Sequence, residues 1–162
     1  MAPLEVLFVC TGNSCRSIIA EALLNHLGGN RYSAHSAGSN PTGLVHPIAI
    51  ECLTMNGVTT AGVRNESWDR YRDQPLDLVI TICDHAARQN CPMFSNDPHR
   101  IHWNIPDPVL ATETGEQRTS IFQATFEQLR ARIEKLVLAI DACGNGASLP
   151  AELRSLTDKA AD

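Results

Sequence analysis

Nowhere does this 162-residue chain approach the ~18 consecutive apolar residues that a membrane span requires. Its early apolar run, residues 6–9, is too short for the core of an export signal and has no basic region before it. The expected compartment is therefore the cytoplasm, with no membrane partner. Lysine is scarce: of 13 basic residues only Lys135 and Lys159 are lysines, and no dense basic run occurs. At a net charge of −5 the chain lacks the basic footprint that nucleic-acid binding demands. A negative protein can still hold an anion, but only with a few well-aimed donors in a small pocket. Paired spacings for a structural zinc are also missing. Cys83, His85, Cys91, His99 and His102 do not form two close pairs, and no metal site is expected.

What is present is an ordinary globular composition, 43% apolar and 19% charged. The length suits one domain, placed at residues 1–143, with 144–162 as a C-terminal tail of weak helical pattern. Residues 4–9 read as a buried parallel strand. A helical pattern starts at Ser17, with Ile18, Ala22, Leu23 and Leu27 on one side, and stops at Gly28 and Gly29. A second strand is expected over 31–36 and a helix over 47–55, with Pro47 in its first turn. A strong strand over 76–82 leads into Cys83, and a short one follows over 100–104. Residues 116–140 place Phe122, Phe126, Leu129, Ile133, Leu136, Val137 and Ile140 at helical spacing. This alternation predicts an α/β three-layer sandwich, a central four-stranded parallel sheet flanked by helices. Ligands of such sheets bind beyond the carboxyl ends of the strands, where Cys10 and Cys83 both fall.

Six cysteines in a reducing compartment read as catalytic or redox residues before they read as disulfides, although a free Cys is also a common core residue. Cys10-Thr11-Gly12-Asn13-Ser14-Cys15-Arg16-Ser17 has the form Cys-x5-Arg-Ser between a strand and a helix. A tight loop of this length can turn its backbone N–H groups inward as a nest for a tetrahedral oxyanion. The helix that follows adds its positive end. Gly12 and Asn13 tolerate the positive φ that such a loop needs. Arg16 can fork two hydrogen bonds onto two oxygens. The same field would lower the Cys10 pKa below the free value of ~8.5, and Ser17 could donate to the resulting thiolate.

The segment Val6-Leu7-Phe8-Val9 through Ser17 resembles the low-molecular-weight protein tyrosine phosphatase superfamily, which includes arsenate reductases built on that fold. The similarity covers residues 4 to about 140, and Ser36-Ala37-Gly38 also resembles the segment after its second strand. The resemblance implies Cys10 as nucleophile and Arg16 as oxyanion clamp, with Asn13 shaping the loop and Ser17 stabilising the thiolate. A thiolate displacing an oxygen needs an acid for the leaving group. Asp107, between Pro106 and Pro108, reads equally as a turn aspartate from the bare sequence. In the resembling enzymes a late Asp-Pro supplies that acid.

One loop serves two chemistries. A phosphatase hydrolyses a phosphocysteine at Cys10 with one essential thiol; a reductase needs further thiols to carry two electrons. Cys83 and Cys91, the latter eight residues on in a polar loop, are candidates, against the alternative of a core Cys83 and an incidental Cys91. Thr81-Ile82-Cys83-Asp84-His85-Ala86-Ala87, Cys91-Pro92, His102-Trp103 and Asp107-Pro108 together resemble the arsenate reductases. Val109, Leu110 and Ala111 stand where the phosphatases usually carry aromatic rings. The resemblance thus implies arsenate as substrate, a Cys10–Cys83–Cys91 relay and no bound cofactor. The expected reductant is external: thioredoxin, or glutathione with glutaredoxin. Cys15 is expected as a packing residue, with a protective disulfide to Cys10 under oxidation as the alternative; Cys52 is expected as core, Cys143 as incidental, and His46 as structural.

Overall fold

The computed structural model of the chain describes residues 2–82, 94–95, 97–143 and 149–158. Strands β1 (Leu4–Cys10), β2 (Tyr32–Gly38), β3 (Leu78–Thr81) and β4 (His99–His102) form one sheet in the order β2-β1-β3-β4, with every pairing parallel. The described α-helices are α1 (Arg16–Gly28), α2 (Pro47–Met55), α3 (Gly115–Cys143) and α4 (Leu149–Ser155). The result is the expected three-layer α/β sandwich.

β1 lies between two neighbours and Val6, Leu7, Phe8 and Val9 are wholly buried, which is why its sequence is a continuous apolar run and not an alternating one. β4 is an edge strand and exposes His99 and Arg100 while burying Ile101. β2 runs two residues beyond its expected end because it pairs with β1 from Leu4↔Tyr32 to Cys10↔Gly38. That full register sets Gly38 beside Cys10.

α1 packs on β1 and β2, and α3 packs on α1. Burial of α1 is therefore wider than the one-sided stripe its sequence suggests: Ile19, Ala20 and Leu24 are buried with Ile18, Ala22 and Leu23. α1 closes at Gly28, where the Tyr32 ring occupies the place that a Cβ would take.

The segment set apart as a tail is docked over its described part. Residues 149–155 are helical and Leu153 is buried. Trp103 Nε1 donates to the Leu156 carbonyl at 3.1 Å, and the Asp158 N–H to that of His102 at 2.7 Å. Arg132 pairs with Asp158 at 2.6 Å. Two turns of helix are too short to show a periodicity of their own, and tertiary bonds hold them. No helix among the described residues is long and apolar enough to cross a membrane.

Candidate active site

The loop from Cys10 to Arg16 spans the gap between the carboxyl end of β1 and the start of α1. Its carbonyls are bound from outside one after another. The Cys10 carbonyl accepts from the Ser39 N–H (3.2 Å), that of Thr11 from Asn40 (2.9 Å), and that of Gly12 from Thr42 (3.1 Å). The Ser14 carbonyl accepts from the His46 N–H (2.8 Å), and the Cys15 carbonyl from Ile19 (2.9 Å). The Asn65 amide supplies Asn13 (2.7 Å) and a second bond to Gly12 (2.8 Å). In a trans peptide the N–H points opposite to the carbonyl. Carbonyls pinned outward from Cys10 to Cys15 therefore turn the N–H groups of residues 11–16 toward the concave side. That is a nest for an anion, and the positive end of α1 reinforces it.

Two residues make the curvature possible. Asn13 has φ +49°, in the left-handed region, and its Oδ1 accepts from the Glu66 N–H at 2.7 Å. Gly38 backs the loop so closely that a Cβ there would stand 2.7 Å from the Thr11 carbonyl oxygen and 3.0 Å from the Asn13 Cβ.

Asn13 and Ser17 are fully buried and do not line the cavity; they act on the thiol. Asn13 Nδ2 donates to Ser17 Oγ at 2.8 Å, so that the Ser17 proton is directed to Cys10 Sγ, 2.9 Å away. A hydrogen bond donated to sulfur favours the thiolate. Cys15, in contrast, has its thiol pushed up, by burial first and then by the carboxylate of Asp107. It is buried beside the cavity that Cys10 lines.

A cavity of about 240 Å³ is lined by Cys10, Thr11, Gly12, Ser14, Cys15 and Arg16 from the loop, Asn40 and Thr42 from the following turn, and Asp107 with Val109. The volume suits a small oxyanion. Asp107 thus shares a cavity with Cys10 across the width of the sheet. Arg16 Nη1 donates to the Ile105 carbonyl (3.1 Å), and Nη2 lies 3.2 Å from Asp107 Oδ2. One guanidinium therefore links the Cys10 loop to the loop that carries Asp107. Asp107 also caps a short turn, its Oδ1 accepting from the Val109 N–H at 3.0 Å.

Cys83 and Cys91 lie outside the described residues, as does His85. Of the remaining zinc candidates, His102 is engaged through Nδ1 with Thr81 Oγ1 and through Nε2 with Asn104 Oδ1, each at 2.7 Å. No cluster of three or more His, Cys, Asp or Glu suited to a metal ion occurs among the described residues. Cys52 is buried on α2, its thiol pushed up to about 11 chiefly by that burial.

Two further residues, distant in sequence, hold the loop. Asn65 donates to the Gly12 and Asn13 carbonyls and accepts from the Gly43 N–H at 2.8 Å; no local pattern around it announces this. His46, read as structural, does structural work at the site itself. Its N–H holds Ser14, and its Nδ1 accepts from the Ile48 N–H at 3.1 Å to cap α2. Burial, then the neighbouring Arg118, lowers its pKa and so favours the neutral ring.

Known proteins agree with this geometry. The low molecular weight phosphotyrosine protein phosphatase family matches residues 5–146. An arsenate reductase of Halalkalibacterium halodurans is 33% identical over 129 residues, 80% of this chain and 91% of that protein. One of Bacillus subtilis is 32% identical over 130 residues, with 80% and 92% covered. A Corynebacterium glutamicum thioredoxin-dependent arsenate reductase superposes with a TM-score of 0.67 at 29% identity, over 88% of this chain and 64% of that one. With the loop, the sheet order and relatives above 30% identity in agreement, the chain belongs to the low molecular weight phosphotyrosine protein phosphatase family.

Proposed function

We propose that this chain reduces arsenate to arsenite in the Cys10 cavity through a relay of Cys10, Cys83 and Cys91. The observation that carries the oxyanion half is the row of outward-bound carbonyls from Cys10 to Cys15, which fixes the N–H nest before any ligand arrives. Preorganised donors of this kind cost no reorganisation during reaction. The names of these relatives support arsenate as the oxyanion.

In this mechanism the N–H groups of residues 11–16 and the Arg16 guanidinium hold arsenate against Cys10. The Cys10 thiolate attacks arsenic, and one oxygen leaves as water on a proton from Asp107, giving a Cys10 thio-arsenate. The Cys83 thiolate then attacks Cys10 Sγ. The sulfur–arsenic bond breaks, its electron pair passes to arsenic, and arsenite departs from a Cys10–Cys83 disulfide. Attack of Cys91 on Cys83 moves the disulfide to Cys83–Cys91 and frees Cys10, and an external dithiol restores both thiols. The register of β3 supports the first exchange: the Ile82 N–H is bound to the Val9 carbonyl at 2.8 Å, and Ile82 precedes Cys83 as Val9 precedes Cys10. The external dithiol in this reading is thioredoxin, in line with the name of the Corynebacterium neighbour. Glutathione with glutaredoxin is the other source.

Hydrolysis of phosphate monoesters is the second reading, favoured by the family match itself. It needs only Cys10, Arg16 and Asp107. Asn40, Thr42 and Val109 at the cavity supply no ring to grip an aryl group, which favours a bare oxyanion. The test follows NADPH loss with arsenate and a thioredoxin system, then with glutathione and glutaredoxin, beside an aryl phosphate assay on the same protein. Arsenate-dependent turnover with either thiol system supports reduction. Aryl phosphate turnover with no arsenate-dependent NADPH loss under either system overturns it.

A further inference from the structure

We infer that Arg118 is a positioning residue for the acid Asp107, an inference that rests on the acid step of the reading above. The acid stands on a loop, residues 105–111, whose two ends are held differently. At the near end the Ile105 N–H donates to the Ile82 carbonyl (3.4 Å) and the Ile105 carbonyl accepts from Arg16 (3.1 Å). In the middle, Pro106 and Pro108 have no N–H to give. The turn is closed within itself, by Leu110 N–H on the Asp107 carbonyl (3.3 Å) and Ala111 N–H on that of Pro108 (3.2 Å). At the far end, Arg118 Nη1 reaches back from the first turns of α3 and donates to the Ala111 carbonyl at 3.2 Å.

Arg118 is itself fixed. Its guanidinium lies over the Phe122 ring, 5.7 Å from the centroid and one helical turn on. Its Nη2 packs 3.5 Å from Nε2 of His46, the residue whose N–H holds the Ser14 carbonyl of the oxyanion loop. Phe122 also packs on the His46 ring, with 5.0 Å between centroids, and this shared ring is the tie between the far end of the acid loop and the element that braces the loop carrying Cys10. The distance between the Asp107 carboxyl and an oxyanion in the cavity is set through that tie. The nest and Arg16 do not depend on it, so loss of Arg118 slows the proton transfer and leaves anion binding in place.

A double-mutant cycle on the reduced full-length protein tests this. Single-turnover arsenite formation is measured for the parent, Arg118→Ala, Arg118→Lys, Asp107→Asn and the Arg118→Ala/Asp107→Asn pair. Phosphate affinity is read from protection of Cys10 against iodoacetamide. Arg118→Ala should slow the chemical step by roughly tenfold to a hundredfold, the scale of a misplaced catalytic group. Phosphate affinity should stay within about twofold, since only an interaction made in the transition state is lost. Arg118→Lys should recover part of the rate, and it carries the cycle if the alanine variant does not fold. In the Asp107→Asn background the second substitution should add no further loss. An equal loss with and without Asp107, or a loss of phosphate affinity matching the loss of rate, overturns the positioning role alone. An Asp107→Asn protein as fast as the parent overturns the acid reading, and this inference with it.

Discussion

Cys10 is 2% exposed, and its sulfur meets a hydroxyl proton that Asn13 has oriented through Ser17. The hydrogen bond favours the thiolate, so Ser17→Ala should move the midpoint of Cys10 alkylation by iodoacetamide upward by about one to two pH units, the equivalent of one hydrogen bond to a charge. An unmoved midpoint would show that the hydroxyl does not hold the charge. Gly38 has a different task. Gly38→Ala would force a Cβ to within 2.7 Å of a backbone oxygen, so the loop must shift, at a cost of about 1–3 kcal/mol. Urea unfolding and phosphate protection of Cys10 should both register it; a fully stable variant with parental phosphate binding would contradict the packing account. Cys10, Arg16 and Ser17 are legible in the sequence because one contiguous loop places them. Asn65 and His46 are not, because they reach the loop from distant parts of the chain through tertiary contact.

At the scale of elements, α1 joins the site to the core. Its first turn supplies Arg16 and Ser17; further along, Glu21 accepts a hydrogen bond from Ser36 Oγ on β2 at 3.2 Å. Burial pushes the Glu21 carboxyl up to about 8, with Glu66 adding to the rise and Ser36 opposing it. Its folded pKa lies above the unfolded value near 4.5, so the folded chain holds the proton that the unfolded chain has released between the two values. The resulting stability is whole below about pH 4.5 and is lost as pH rises through about 8. Glu21→Gln should therefore flatten the fall in Tm across that window and leave the variant the more stable at pH 8, as a calorimetric series would show. Parallel Tm curves for the two proteins would contradict it. The apolar runs of β1 and β3 and the spacing in α3 make most elements readable, because burial of a whole face leaves a period. α4 leaves none: it is seven residues long, and Trp103, Arg132 and His102 hold Leu156 and Asp158 just after it.

For the whole molecule, parallel pairing of β1 with β2 and β3 delivers the pieces of the site to one edge of the sheet. The oxyanion loop leaves β1, its brace Gly38 ends β2, and the chain after β4 brings Asp107 over the cavity. The order of elements thus explains how residues nearly a hundred positions apart share one small cavity. The sequence patterns predict that convergence for the strand ends; they do not predict the clamps, since Arg118 and Asn65 gain their partners only on folding. In the proposed reaction the thiols beyond the loop carry the electrons. The most direct measurement adds arsenate to fully reduced protein with no external reductant, quantifies arsenite, and maps disulfides by peptide mass. One arsenite per chain and a Cys83–Cys91 disulfide are expected, with Cys91→Ser stopping at Cys10–Cys83 and Cys83→Ser releasing no arsenite. Intact thiols with no arsenite formed, in protein that still turns over an aryl phosphate through Cys10, would contradict it.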